Sequence, residues 1–384
     1  MNNRQRVMAL LSYQPYDRMP IAHFGFWNET LDKWAAEGHV TAEEAAKWAD
    51  GNPTDAVISA KLGFDLNYYS VFGVYTNLWP PFERKVVEEL PGGGRKVLNG
   101  EGVIVLEIPG ATGIPTEIEH LFKGRKEWQE LFAPRLRWST ERVTRMPVHV
   151  NDRMVPWTAG GLQFLQEDTR DYLYGLHCGS LYGNIRNFLG VTGSAYLLAD
   201  DEPLFDEIIN TVADICYQGT KLALESGARF DFGHFWEDIC FNNGPLINPA
   251  AFRAKVGPHY RRITELLHNY GINIISLDCD GKIDALVPIW FENGVNTMFP
   301  IEVGTWNASI EPWRNKYGRE LRGVGGMDKK VFAYDYAAID AEVERLKPLV
   351  DLGGYLPCPD HRLPPDATWE NVQYYCERMR QVYK

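Results

Sequence analysis

The sequence has little that would tie the chain to a membrane, a nucleic acid or an oxidising compartment. No run approaches 18 apolar residues, and the opening MNNRQRVMALLSYQ lacks the long apolar core of a signal peptide. Basic residues are the minority sign, 39 Lys and Arg against 51 Asp and Glu, for a formal net charge of −12. They form no cluster, whereas a phosphate-backbone partner calls for a basic face. The six cysteines (Cys178, Cys216, Cys240, Cys279, Cys358, Cys376) contain no Cys-x-x-Cys pair, so reduced thiols are expected rather than a disulfide framework. There is no Gly-x-Gly-x-x-Gly fingerprint. The run Gly92, Gly93, Gly94 is followed by neither Gly-Lys-Ser/Thr nor a helix, so it reads as a turn and not a phosphate loop. These absences predict a soluble, cytoplasmic protein with no nucleic-acid or membrane partner.

What is present is an alternation of strands and helices. Asn273 to Lys282, NIISLDCDGK, is an apolar run that ends abruptly in Asp278, Cys279, Asp280 and Gly281, as expected of a buried parallel strand delivering polar groups to its C-terminal end. The pattern recurs at Ala228–Cys240, Val295–Glu302, Leu321–Asp328 and Gly353–His361, with helical patterns at Pro249–Tyr270, Ile283–Asn293, Ser309–Tyr317 and Ile339–Asp351. Strands spaced by about 25 to 45 residues with helices between them require parallel crossovers, and one repeated βα unit predicts an α/β fold, a decorated (β/α)8 TIM barrel in one domain over residues 1–384. Active sites of such barrels lie at the C-terminal strand ends. Glu237, Asp278, Asp280, Glu302, Asp328 and His361 are therefore expected to converge there, although an Asp after a strand also commonly caps the next helix. Cys279 alternates away from Asp278 and Asp280 and reads as packed behind the sheet; Cys216 and Cys376 read as packing residues, while Cys178 and Cys358 lie near strand ends.

The middle of the chain is expected to build a pocket. Gly73–His120 reads as a hairpin excursion with strands at Val86–Leu90, Lys96–Leu98 and Val103–Ile108. Arg170–Gly193 carries His177, Tyr182 and Arg186, of which His177 is a candidate hydrogen-bond donor or proton relay. His234 faces either the mouth or the core. Twelve Trp, 19 Tyr and 18 Phe, clustered locally at Phe24, Trp27, Tyr75 and Trp236, favour an aromatic ligand.

The opening segment adds a more specific signal: a helix with Val7, Leu10 and Leu11 on one face, the turn Pro15-x-Asp17-Arg18-x-Pro20, then a strand over Met19–Phe24. Together with NGPLINPAAFRAKVGPHYRRI, LRGVGGMD and GGYLPCPDHRLPPDATWENVQYY, this order resembles the uroporphyrinogen decarboxylase superfamily over nearly the whole chain. The decarboxylases carry an Arg-Gln-Ala-Gly-Arg run after the first strand, where this chain has HFGFWNETLDKW without arginine. The resemblance therefore points to the corrinoid-dependent methyltransferase branch. Its zinc ligands, His-x-Cys and a final-loop Cys, fall on Asp278, Asp280 and His361. The resemblance implies a metal held by these three with Glu237 as fourth ligand or general acid, zinc being the expected ion. An oxygen and imidazole set suits a Lewis acid acting on a methyl ether oxygen. From the strand ends and the 170–193 turn, Glu302, Asp328 and His177 are further catalytic candidates, and Phe24, Trp27, Tyr75, Tyr182, Arg186, His234 and Trp236 are expected around a small, aromatic methyl donor. No Asp-x-His-x-x-Gly corrinoid signature is present, so the corrinoid is expected on a partner protein. Superfamily members often form dimers, which makes a homodimer an expectation with no interface marked in the chain. Two other readings stand beside this one: a metal-free lyase or decarboxylase, and a non-catalytic small-molecule-binding barrel.

Overall fold

The structure, a computed structural model, describes residues 1–111 and 115–384. The first strands are β1 (Ala22–His23), β2 (Leu66–Asn67) and β3 (Val71–Gly73), followed by an antiparallel excursion of β4 (Lys85–Glu89), β5 (Arg95–Leu98), β6 (Val103–Glu107) and β7 (Thr116–His120). A hairpin, β8 (Pro147–Val150) and β9 (Arg153–Pro156), precedes β10 (Gly175–His177) and β11 (Gly233–Trp236); a short antiparallel pair, β12 (Cys240–Phe241) and β13 (Gly244–Pro245), comes next. The chain continues through β14 (Ile275–Asp278), β15 (Thr297–Ile301), β16 (Arg322–Met327) and β17 (Tyr355–Pro359).

Seven strands form one parallel sheet in the order β17-β16-β15-β14-β11-β10-β3, and β1 and β2 form a separate parallel pair. β14, β15 and β17 are buried at every position, because helices cover the sheet and leave neither strand face to water. The covering helices show the spacing that burial requires: Glu202–Glu225 buries Leu204, Ile208, Val212 and Ile215, and Tyr336–Asp351 buries Ile339, Val343 and Leu346. Beyond the ends of the ladder, Leu363 N donates to Gly25 O and Trp27 N donates to Leu363 O, so the first and last segments of the fold are hydrogen-bonded to each other.

Several elements differ from their sequence-based bounds. The helix expected over Pro249–Tyr270 is two, Pro249–Lys255 and Gly257–Asn269, because Pro258 has no N–H to continue the first ladder. The strand expected over Met19–Phe24 shortens to Ala22–His23, where pairing with β2 begins. The excursion is a four-stranded sheet rather than a hairpin, with β7 as a strand the pattern did not mark; residues 112–114 of that stretch lie outside the described residues. It has its own small core of Val97, Val103 and Val105, separate from the main one. No helix among the described residues is long and apolar enough to cross a membrane.

Candidate active site

Because the sheet is parallel, the residues that follow β3, β10, β11, β14 and β17 gather on one side of it. After β14 the chain turns sharply through Gly281 (φ +85°), where an added Cβ would lie 2.5 Å from the Cys240 carbonyl oxygen. This turn presents Asp280, and His361, two residues past β17, meets it with Nε2 3.2 Å from Asp280 Oδ2. The imidazole stacks on Trp27 at 5.6 Å between centroids and meets Phe24 edge-on at 5.6 Å. These rings leave it few alternative orientations.

Asp278 is only 4% exposed, and its carboxylate makes no hydrogen bond among the described residues. Burial, then the charges of Asp280 and Asp238, push its carboxyl well above the usual range, against the opposing pull of Arg362. Glu302 caps the same turn: it accepts Gly281 N at 2.5 Å and Thr305 Oγ1 at 2.9 Å, and burial followed by Asp280 raises its carboxyl. Two arginines border the group, each already paired. Arg186 donates to Asp238 Oδ2 at 3.1 Å, and Arg362 holds Asp50 through both terminal nitrogens, at 2.5 and 3.2 Å.

Beside this charged group is a pocket of about 410 Å³, walled by Tyr69, Tyr75, His177 and Trp236 and floored by polar groups including Asn184, Asn187 and Glu101. Glu101 reaches it from the turn between β5 and β6, and burial raises its carboxyl. Tyr69 joins the two halves of the site. Its ring packs on Phe24, His177 and His234, and the Asp278 charge adds to burial in raising its phenol.

Four expected residues have other roles. Glu237 is fully buried, accepting Leu181 N and Gly183 N at 2.7 Å each and the Tyr260 hydroxyl. With both oxygens engaged it is a clip between β11 and the loop after β10, not a ligand beside His361. Tyr182 turns into the core against Phe205 and Phe252, because it begins the helix Tyr182–Asp200 on its buried face. Asp328 caps its own turn, Oδ1 accepting Lys330 N at 3.0 Å, as the capping alternative anticipates. His234 lies inside the sheet layer, fully buried, with Nδ1 2.7 Å from Ser276 Oγ. Burial drives its pKa far down, so it is a neutral core imidazole.

The expected zinc set is not assembled in this arrangement. Among the described residues, no group of three or more His, Cys, Asp or Glu is disposed to hold a metal ion. Asp280 and His361 meet, Asp280 Oδ1 is buried without a partner, and Glu237 is spent elsewhere. All six cysteines are buried and free; Cys279 Sγ accepts Ile239 N behind the sheet. The sequence pattern missed Asp50, Tyr69, Glu101, Asp238 and Arg362. Of these only Asp238, in the strand-end run Glu237-Asp238, carried a signal that could have found it.

A parallel βα fold that gathers ionisable and aromatic side chains beyond its C-terminal strand ends places them where α/β folds commonly bind their ligands. A solved methyltransferase from Methanosarcina mazei shares this fold, with a TM-score of 0.63 over 99% of this chain and 99% of that chain. The two sequences are 14% identical, so the likeness is one of fold. No family model matches the sequence, and no curated protein matches it.

Proposed function

We propose that this protein is a methyltransferase on a closed (β/α)8 barrel, moving a methyl group from a small aromatic methyl ether to a corrinoid carried by a partner protein. The observation that carries the reading is the meeting of Asp280 with His361 between Phe24 and Trp27, at the strand ends of a chain that shares its fold with a methyltransferase over its full length. Tyr69, Tyr75 and Trp236 supply faces for an aryl ring, and Asn184, Asn187 and Glu101 orient its polar substituents. The reduced corrinoid would supply the nucleophile. The C–O bond breaks as the methyl carbon passes to the corrinoid, its electron pair left on the aryl oxygen; with Nε2–H given to Asp280, the donor that stabilises that oxygen is Nδ1–H of a doubly protonated His361 ring. No step is routed through zinc, since the residues named for it do not form its site as arranged here.

Two observations weigh against the other readings. A decarboxylase needs free cationic groups for a substrate carboxylate, whereas Arg186 and Arg362 are committed to Asp238 and Asp50. A non-catalytic barrel gives no reason for Asp278 to be buried beside Asp280 without a partner. The test is an anaerobic assay with cob(I)alamin and a set of methoxybenzoates and methoxyphenols, following methylcobalamin by absorbance. Turnover in the wild type, reduced about 100-fold or more in His361→Ala, is expected; no methyl transfer from any of them, or release of carbon dioxide from the methoxybenzoates, would overturn the reading.

A further inference from the structure

The strand-end pocket of about 410 Å³ takes part of its lining from the inserted sheet, through the turn between β5 and β6. That turn is held from several sides. Asn99 Oδ1 accepts Glu101 N at 3.0 Å and Val103 N at 2.9 Å, and Leu121 N, just past β7, donates to Gly102 O. Gly102 has φ +80°, and a Cβ there would lie 2.8 Å from the Phe82 ring, so the position takes only glycine. Glu101 is thereby held half-buried in the pocket lining, and its carboxylate has no hydrogen bond and no ion pair among the described residues.

His177, at the end of β10, lines the same pocket with one defined donor. Gly179 N donates to His177 Nδ1 at 3.0 Å, and burial lowers the ring's pKa to about 4, so the imidazole is neutral and carries its proton on Nε2. Tyr69 and His234 meet the ring edge-on, at 6.4 and 5.9 Å between centroids, and Nε2 has no partner among the described residues. Other polar groups of the lining are engaged within the protein: Tyr75 Oη donates to Leu78 O, Ser180 Oγ accepts Asn184 N, and Asn184 Nδ2 donates to Thr76 Oγ1. A carboxylate acceptor and an imidazole donor are left, with the amides of Asn77 and Asn187. No lysine or arginine lines the pocket among the described residues. Arg186, whose charge opposes the effect of burial on Glu101, is paired with Asp238.

Taking the ether itself from the methyl-transfer reading, we propose that Glu101, together with His177 Nε2–H, is the specificity-determining residue of this pocket, selecting an aryl methyl ether that carries a neutral hydroxyl and rejecting one that carries a carboxylate. A hydroxyl both donates and accepts, so it can serve Glu101 and His177 at once. A carboxylate offers Glu101 no proton and sets a second negative charge beside it with no lining cation, which rejects it by repulsion. A ring without a polar substituent leaves both groups unpartnered when it displaces their water.

The test is calorimetric titration of the full chain, without corrinoid, with para-methoxyphenol, anisole, para-methoxybenzoate and para-methoxybenzylammonium. Wild type should bind methoxyphenol about tenfold or more tightly than anisole, and methoxybenzoate more weakly than either. Glu101→Ala should bring methoxyphenol to the anisole level with anisole itself unchanged. Glu101→Gln keeps the size and an acceptor and should raise methoxybenzoate to the anisole level; if Glu101→Ala loses anisole as well, this gain decides. Methoxybenzoate bound as tightly as methoxyphenol by the wild type, an unchanged hydroxyl preference in Glu101→Ala, no gain in Glu101→Gln, or tightest binding of the ammonium ligand would overturn the proposal. The cob(I)alamin assay separates the two readings. The expected binding pattern without methyl transfer overturns methyl transfer alone, and equal transfer from methoxyphenol, anisole and methoxybenzoate overturns the hydroxyl selection alone.

Discussion

His361 shows how a single side chain is fixed by groups from two distant parts of the chain: Asp280 from the turn after β14, and Trp27 and Phe24 from the segment after β1. Elemental mass spectrometry of protein purified without chelator tests the metal expectation directly. About one zinc per chain, lost in His361→Ala, would require Asp278 and Asp280 to close on His361; protein without metal that remains active leaves the hydrogen-bond donor role. Glu237 gives a pH prediction. Burial is the first cause raising its carboxyl from 4.5 to about 7, against opposing hydrogen bonds from Tyr260, Leu181 and Gly183. An acid whose folded pKa is raised holds its proton better in the native state, so its contribution is complete below the unfolded value near 4.5 and is lost as pH rises through about 7. Over that window the native state should lose on the order of 3 kcal/mol from this group. Chemical denaturation from pH 5 to 8 should show the decline, and Glu237→Gln should flatten it while lowering stability at pH 5. At this scale the sequence was informative where a strand closed on acidic residues, which is how Asp278 and Asp280 were marked. It was silent on Asp50, Tyr69 and Glu101, because nothing local in a loop records which distant side chain it will face.

Among the elements, the turn after β14 tolerates little change. Gly281 has positive φ and no room for a Cβ, so Gly281→Ala should cost about 1–3 kcal/mol and displace Asp280. A loss of activity larger than the loss of stability, measured by denaturant titration and initial rates, is the expected outcome. The parallel strands were legible because complete burial makes them continuous apolar runs, and the helices because their apolar residues recur every three or four positions. The excursion was half legible: β4 to β6 each carry adjacent apolar residues beside turn signals, but β7 (TEIEH) has only Ile118 among polar residues and is exposed at four of five positions, leaving no apolar run to read. Among the described residues its own core is three buried valines with Val86 half-buried against them. Its amides should therefore exchange with deuterium well before those of β14 to β17, measured by mass spectrometry of peptic fragments.

For the molecule as a whole, the strand-helix alternation was enough to read a parallel α/β fold, and the fold shared with the Methanosarcina mazei methyltransferase agrees with it. What the alternation did not contain was the interruption between β2 and β3, since residues 68–70 are as aromatic and polar as a strand end. Phe82 and Phe122, which flank the excursion, both pack on Phe132, at 5.3 and 5.6 Å. The two ends of the insertion therefore leave and rejoin the main body side by side. Replacing residues 84–121 with a short Gly-Ser linker should leave the main unfolding transition in place and, under the methyl-transfer reading, raise KM more than it lowers kcat, because Glu101 goes and His361 stays. A pocket wall that stands on its own small core, attached at two adjoining points, can be lengthened, shortened or exchanged without renegotiating the packing beneath it. Under the methyl-transfer reading, substrate preference in this architecture would follow how much chain is inserted as well as which residue occupies a site.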